Sequence, residues 1–356
     1  MSKVIVGMSG GVDSAVTAYL LKLAGHDVVG VTLKTWISNG GEDSRCCEID
    51  DAKVVAEKLE IPFCVENVVA DFCKNVTKPF IDDYLKGMTP NPCVICNRDV
   101  KWKHMLNLAD NMQADFIATG HYAKIIELAN GRFTVKKADF AAKDQTYMLY
   151  KLSQEQLKRT LMPLGKLSKD EVRKIAESAK LPVASKPDSE DICFVTDGKY
   201  TDFIEENAEN YEPKPGNFVD EEGNVLGPNK GIIYYTVGQR KGLGIALGHP
   251  AYVKKICPDT NEVVLTDNEA LFSNELICTD VNFMSIEGLK PGEELEVRAK
   301  IRYHHEPQSA VIKMQEDGNV RVTFHDKVRA ITPGQSTVFY DEDDCVVGGG
   351  IIVEGL

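Results

Sequence analysis

The stretch GMSGGVDSA, residues 7–15, decides the fold. It follows the apolar run KVIVGM (3–8) and opens a segment with helical spacing through Ala15, Ala18, Leu21 and the Tyr19–Leu20 pair. A glycine loop between a strand and a helix is where doubly wound α/β folds bind ligands. Gly10 and Gly11 let the backbone approach an anion, and the helix start supplies amides and partial positive charge. Ser9 and Ser14 add hydroxyl donors. Asp13 is the odd member, because a carboxylate beside phosphates needs a cation or a hydrogen-bonding role. The pattern is neither G-x-x-x-x-G-K-[ST] nor G-x-G-x-x-G, so the usual NTPase and dinucleotide motifs do not match.

Alternation continues outward from this loop. VVGVTL (28–33) reads as a strand, Asp50 to Leu59 as a helix with Val54, Val55 and Leu59 on or near one face, and IPFCVENVV as a returning strand. DFIATG (115–120) is a further strand ending at a glycine. Such alternation predicts α/β architecture, a parallel doubly wound sheet with helices on both sides. SQEQ (153–156) and SKDE (168–171) match the capping box, and the second helix should run to about Leu181, where Pro182 stops it.

From about residue 200 the texture changes to Pro, Gly and acid, with turns and short strands. Beyond 295, apolar residues alternate through Val297, Ala299, Ile301 and Tyr303, then Val320, Val322 and Phe324, as in a small antiparallel barrel. Three domains are expected: 1–200 catalytic, 201–271 central and β-rich, 272–356 a β-barrel.

Composition narrows the class. No apolar run approaches the ~20 residues of a membrane span, and the N-terminus leads into the glycine loop rather than a cleavage site, so a cytoplasmic enzyme with no membrane partner is expected. Net charge is −13, which argues mildly against nucleic acid. The charge is uneven, however. Eight acids and one lysine lie between Asp202 and Glu222, whereas Arg98 to Lys174 is richer in Lys and Arg, leaving room for a local basic surface. Ten cysteines are too sparse for a disulfide scaffold, and Cys64 and Cys73 read as packing residues. PNPCVICN (90–97) is different: Cys93 and Cys96 could hold a metal, form a redox disulfide or present a nucleophile.

SGGVDS after a strand resembles the pyrophosphate loop of the N-type ATP pyrophosphatases. RCCEIDDAKVVAEKLEIPF (45–63), TPNPCVICNRDVKW (89–102) and YTVGQRKGLGI (235–245) are similar to the tRNA-specific 2-thiouridylases, and ATGHYA (118–123), KDQTYML (143–149) and DSEDICFV (188–195) agree. The resemblance spans most of the chain in order. It implies an ATP-dependent transferase that adenylates the wobble uridine at C2 in tRNAs for Lys, Glu and Gln, then transfers sulfur from a persulfide. ATP is implied at Gly7, Met8, Ser9, Gly10, Gly11, Val12, Asp13 and Ser14, with Leu33 and Gly120. Mg²⁺ is expected with the phosphates. Cys96 is implied as catalytic and Cys193 as the persulfide carrier. For tRNA, the match implies Asn91, Pro92, Cys93, His121, Lys143, Asp144, Gln145, Arg302, Tyr303 and Gln335. A cysteine desulfurase or sulfur-relay protein is the implied sulfur donor.

Many relatives carry an aspartate where this chain has Cys93. An unperturbed thiol, with pKa ~8.5, is only a few per cent ionised at neutral pH. Three readings of Cys93 follow: a thiolate favoured by Arg98, Lys101 or Lys103, a disulfide partner of Cys96, or one of three ligands, with Cys96 and Cys193, of a four-iron cluster. Cys46 and Cys47 match a family position without an assigned role. Two rivals stand beside the thiolase: another adenylating synthetase of the argininosuccinate or amidotransferase type, and a non-catalytic iron–sulfur or tRNA-binding relative.

Overall fold

The computed structural model describes residues 1–37, 48–188, 192–195, 198–209 and 211–356. Cys46 and Cys47 therefore lie outside the described residues, as do Ser189 to Asp191 of the acidic run before Cys193.

Five parallel strands form the first sheet. β1 (Lys3–Gly7), β2 (Asp27–Lys34), β3 (Phe63–Asn67) and β4 (Phe116–Ala118) are joined by the short strand Thr160–Leu161, in the order β3-β2-β1-β4-(160–161). Side chains alternate across this sheet, and both faces are covered. Val4 and Val6 enter one core with Val12, Val16 and Leu181, while Ile5 enters the other with Val29, Val31 and Ile117. The chain runs outward from β1 to β3, then crosses back to place β4 on the other side of β1. That reversal opens a crevice beyond the ends of β1 and β4.

The sheet helices follow the sequence closely, with local differences. α1 (Val12–Leu23) and α2 (Ile49–Lys58) cover the sheet. On α2 Val55 and Leu59 are buried, but Val54 is 46% exposed and lies off the buried face. Both capping boxes form at Ser153 and Ser168. The helix Lys169–Ser178 ends earlier than expected, because Lys180 turns to φ 52° and the Leu181 amide folds back on Ala176.

Two helical runs were not anticipated. Residues 69–85 form one, and residues 92–111 the other, so that PNPCVICN is a helix start rather than a loop. Pro92 takes the first helical position, where its missing N–H costs nothing, and Asn91 Oδ1 accepts from the Cys93 amide at 3.2 Å. Each run widens into a π-helical turn, at Cys73–Thr77 and at Cys96–Trp102. Such turns are frequent at functional sites.

Beyond residue 200, a helix (Tyr200–Asn207) precedes a four-stranded sheet in the order Tyr252–Cys257, Glu262–Thr266, Gly216–Val219, Val225–Asn229. Six antiparallel strands then close a barrel, from Phe272–Phe283 round to Val346–Gly355. The expected alternation holds for Val297 and Ala299, but that strand ends at Lys300. Ile301 turns into the barrel core, and Arg302 and Tyr303 lie in the following turn rather than on a strand.

The barrel is seated on the first domain by named contacts. Tyr147 Oη donates to Ser336 O at 2.8 Å, Ser336 Oγ reaches Tyr150 Oη at 3.1 Å, and Asn282 Nδ2 donates to Tyr150 O at 2.6 Å. Gly349 leaves the space that the Tyr150 ring fills, since a Cβ there would stand 2.7 Å from it.

Candidate active site

The glycine loop lies in the crevice between β1 and β4. Gly10 has φ 80°, and a Cβ on it would stand 2.7 Å from Glu48, so only glycine fits. Gly11 caps α1 with no side-chain hydrogen bond, and the first-turn amides of a helix have no partner within it. The serines brace the loop: Ser9 N donates to Ser14 Oγ at 3.2 Å, and Ser14 Oγ donates to Gly11 O at 3.0 Å. An uncapped 12-residue helix behind such a loop is a site for an anion.

Three acids border this anion site, and each is paired. Lys186 bonds to Glu48 and Asp51 and lies 3.4 Å from Gly10 O. Asp13 accepts Lys169 Nζ at 2.7 and 2.8 Å and Tyr122 Oη at 2.7 Å. Burial, reinforced by the Asp13 carboxylate, pushes the Tyr122 phenol far up, so it stays a donor. The odd carboxylate of the loop is thus matched by a cation and a hydroxyl. Lys169 also meets Asp188 at 2.7 Å, where Lys143 (2.9 Å) and Arg173 (3.0 Å) converge. Burial alone would raise the Asp188 carboxyl, but hydrogen bonds from Lys169 and Lys143 hold it below the ordinary range. Three cations of the basic 98–174 region therefore meet at one carboxylate.

Gly120 follows β4 and presses on α1. A Cβ there would stand 2.9 Å from the Asp13 carbonyl carbon and 3.0 Å from Ser14 N. Its close approach is to the loop's own helix. Leu33, near the end of β2, is 9% exposed and belongs to the core.

Cys96 begins the second π-helical turn and is 5% exposed, whereas Cys93, one turn earlier, is exposed. Cys193 is half-buried against the same apolar core as Cys96. Its neighbour Phe194 is the anchor, edge-on to Phe72 and Phe80 and 4.8 Å from Phe203. Distant segments 92–96 and 192–195 thus share one core. Arg98 is bonded to Asp99 through two nitrogens, and Lys103 to Asp71 at 2.8 Å. Two of the three cations named for Cys93, Arg98 and Lys103, thus have carboxylate partners of their own. No group of three His, Cys, Asp or Glu side chains placed to hold a metal occurs among the described residues.

The residues implied for tRNA mostly serve as framework. Asn91 Nδ2 reaches Met148 Sδ at 3.3 Å, and Asn97 Nδ2 donates to Met148 O at 3.0 Å, joining PNPCVICN to KDQTYML. Asn97 Oδ1 is buried with no partner among the described residues. Asp144 is buried, accepting from Ala138 N and Thr146 Oγ1, and burial raises its carboxyl. Gln145 Oε1 accepts from Tyr122 N at 2.9 Å. Arg302 Nη2 ties Val237 O (2.8 Å) to Ala330 O (3.1 Å) and Thr332, linking the central domain to the barrel. Gln335 Nε2 donates to Thr89 O at 2.8 Å, fixing the chain that enters PNPCVICN. His121 is half-buried against Trp102, and burial, with Lys101 nearby, pushes its pKa down to about 3. Pro92 is buried. Tyr303 remains closest to an open role: burial raises its phenol, with Asp144, Lys143 and the Cys93 thiol close enough to be felt.

Sequence reasoning missed Tyr122, Lys169, Lys186 and Met148. Tyr122 stood in the quoted ATGHYA and Lys169 inside a capping box; only the partners across the fold reveal them.

Residues 2–197 match the family described as the tRNA methyl transferase HUP domain, 201–267 its PRC-barrel domain, and 273–352 the aminomethyltransferase beta-barrel domain. The tRNA-specific 2-thiouridylase MnmA of Lachnoclostridium phytofermentans is 52% identical over 361 residues, covering 99% of this chain and all of that one. The chain belongs to the tRNA-specific 2-thiouridylase family. The enzyme of the same name from Clostridium perfringens is 52% identical across 98% of both chains. Among solved structures, the U34-tRNA thiolase NcsA of Methanococcus maripaludis with its [4Fe-4S] cluster aligns at a TM-score of 0.37 and 20% identity, covering 59% of this chain and 65% of that one. Full-length membership makes this a tRNA-modifying enzyme of the PP-loop superfamily, and the ATP-type loop belongs to it.

Proposed function

We propose that this protein is an ATP-dependent tRNA-uridine 2-sulfurtransferase acting on the wobble uridine, with Cys96 and Cys193 carrying the sulfur chemistry. The carrying observation is that Cys96 and Cys193, nearly a hundred positions apart in the chain, pack in one apolar core. Residues 1–200 form the catalytic domain, 201–271 the central domain and 272–356 the barrel.

In this reading ATP phosphates lie against Gly7 to Ser14 at the uncapped start of α1. Lys169 and Lys186 keep the surrounding acids from repelling them. Mg²⁺ would arrive on the phosphates. The uracil C2 oxygen is a poor leaving group, so it is first joined to the α-phosphorus, releasing pyrophosphate. The terminal sulfur of a Cys193 persulfide then attacks C2 and AMP departs. The Cys96 thiolate attacks the Cys193 sulfur, freeing the thiocarbonyl and leaving a Cys96–Cys193 disulfide for an external dithiol to reduce. Sulfur gains two electrons and the two thiols lose them. Reaching the base requires flipping it from the anticodon stack. A donor on the incoming base would satisfy Asn97 Oδ1.

Arg98 and Lys103 have carboxylate partners, so neither favours a Cys93 thiolate; the disulfide-partner reading with Cys96 stands beside that reading. Cys93, Cys96 and Cys193 are the three thiols that would hold a four-iron cluster; no group of three ligands is assembled among the described residues, and no step is routed through one. Substrates are tRNAs for Lys, Glu and Gln, and a cysteine desulfurase or relay protein supplies the sulfur. No helix among the described residues is long and apolar enough to cross a membrane; a cytoplasmic enzyme is the location this reading takes.

The test is incubation with ATP, Mg²⁺, a sulfur source and unmodified tRNA, reading 2-thiouridine by mass spectrometry. Cys96→Ser and Cys193→Ser should each abolish product. Full activity in the double variant would point to another adenylating synthetase, and absence of AMP from the wild type to a non-catalytic relative.

A further inference from the structure

The arginines that the sequence places in its basic region are paired within the fold. Arg98 meets Asp99, Arg159 meets Asp110 and Arg173 meets Asp188. Farther along, Arg298 meets Asp344 and Arg321 meets Glu275. Among the described arginines, Arg132, Arg240, Arg302 and Arg329 have no carboxylate partner. The last three of these come together at the seam between the central sheet and the barrel.

The turn GQRKGLGI (238–245) assembles them. Gly238 takes φ 85° and donates its N–H to Val253 O at 2.7 Å. Arg302 Nη2 and Arg329 Nη1 each lie 3.6 Å from where its Cβ would stand. Gln239 braces the next step: its Oε1 accepts from Thr236 N at 3.0 Å, and its Nε2 donates to Lys241 O at 3.0 Å. Arg240, thus fixed between two braced residues, is exposed, and its guanidinium carbon lies 6.0 Å from the centre of the Tyr252 ring. The guanidinium of Arg329 lies 5.1 Å from the same ring, with its Nε donating to Asn268 Oδ1 at 3.0 Å.

Two like charges at one ring repel each other, and an exposed ring face attracts each only weakly. With no carboxylate at either guanidinium, an incoming anion is the group that relieves the repulsion. Planar guanidinium forks match phosphate oxygens through paired N–H donors. The positive surface also continues toward the thiols. His305 is held below the ordinary imidazole range, by burial first and then by Arg302, Arg329, Lys300 and His304. Lys300 lies over the rings of Tyr147 and Tyr303, and Tyr303 is close enough to the Cys93 thiol to feel it. A stripe of cations running from Arg240 to the neighbourhood of Cys93 suits a polyanion rather than a single small anion.

We propose that Arg240 and Arg329, sharing the Tyr252 ring, receive neighbouring phosphates of the tRNA backbone, so that the GQRKGLGI turn grips the RNA whose target base enters beside Cys93. The inference deepens the sulfurtransferase reading and rests on it for where that base goes. It accounts for RNA binding by a chain of net charge −13: most of the described arginines are spent on the protein's own acids, and these two are kept for phosphate.

The experiment reads binding rather than turnover. Full-length protein is titrated with unmodified tRNA, without ATP, over a series of salt concentrations, and Kd is followed against salt. Arg240→Gln and Arg329→Gln should each weaken binding at least fivefold, and each should lower the salt slope by about 1. Arg240→Lys should keep the slope and lose less than threefold in affinity. ATP affinity should stay within twofold of wild type throughout. Lys290→Gln makes the same charge change at an exposed position on the barrel and should leave the slope unchanged. A folded Arg240→Gln protein with wild-type affinity and slope overturns the proposal. So does weaker binding at an unchanged slope, which is the mark of a structural role, or an equal slope change in Lys290→Gln. Unchanged tRNA binding, with turnover lost only when a protein supplies the sulfur, would assign the surface to an acidic protein and overturn it as well. If Arg329→Gln fails to fold, the exposed Arg240 decides alone. Binding needs neither ATP nor a sulfur donor, so a thiolation assay that fails while tRNA still binds counts against the sulfurtransferase reading and leaves this surface standing.

Discussion

Gly334→Ala tests whether the barrel holds the cysteine helix in place. Gly334 has φ 89°, and its Cβ would stand 2.8 Å from Thr89 N and 3.0 Å from Met88 Cβ and the Thr89 carbonyl carbon. These atoms are backbone or fixed to it, so no side chain can swing aside. The left-handed conformation costs an alanine roughly 1–2 kcal/mol. Relieving the clash parts residues 88–89 from 333–335, losing Thr89 N–H to Pro333 O (2.9 Å) and Gln335 Nε2 to Thr89 O (2.8 Å). Each hydrogen bond is worth about 1 kcal/mol. The docked arrangement is disfavoured by about 3–4 kcal/mol, a shift of over a hundredfold in the docked-to-open ratio. Gln335→Ala, losing one bond and keeping the glycine, should shift it only about fivefold. The assay is kcat/KM for tRNA thiolation alongside ATP affinity. Gly334→Ala should lose at least tenfold in kcat/KM and Gln335→Ala a few-fold, with ATP affinity preserved because the phosphate loop sits at the other end of this connection. A folded Gly334→Ala enzyme within threefold of wild type would refute the docking role, as would equal losses in both variants.

At the phosphate loop, Gly120→Ala should push the first turn of α1 off β4, a steric overpacking of about 1–3 kcal/mol, and weaken ATP binding about tenfold; equilibrium titration checks this. The half-buried His121 should make stability fall in acid. Its folded pKa, about 3, lies below the unfolded value, so its contribution is complete above about pH 6.5 and is lost as pH falls toward 3, by at most about 1.4 kcal/mol per unit. Denaturant midpoints between pH 7 and 4 should decline in the wild type and less steeply in His121→Asn; identical slopes would count against it.

Local signals in the sequence were enough for four of the five sheet strands, all but Thr160–Leu161. KVIVG and its partner strands are buried on both faces, glycines punctuate the strand ends, and both capping boxes announce their helices. The helix 92–111 was hidden because paired prolines and a cysteine pair suggest a loop, while its π-helical turn breaks the 3.6-residue spacing that would have revealed it. Val54 shows the same limit on α2, where two adjacent valines about 100° apart on the helix differ in burial. The site divides along similar lines. Gly10 and Ser14 are legible because a phosphate loop is a local motif. Lys169 and Asp188 are charged residues like many others until the fold brings them to Asp13. Arg302 illustrates the converse: an arginine beside a tyrosine suggests nucleic acid, yet its guanidinium binds three oxygens of the protein itself.

The barrel that steadies the cysteine helix has a consequence for the order of synthesis. Its closing strand, Val346–Gly355, pairs with both Phe272–Phe283 and Ser336–Tyr340 and carries the glycine on which Tyr150 rests. Domains generally fold in the order they emerge, at ~5–20 residues per second. The phosphate loop and its sheet can assemble while the ribosome is still translating the barrel. The seat for residues 146–150 and for the approach to Cys93 exists only once residues 346–355 have been made. During that interval of roughly ten seconds or more, a nascent chain could hold nucleotide with its thiols not yet in working order.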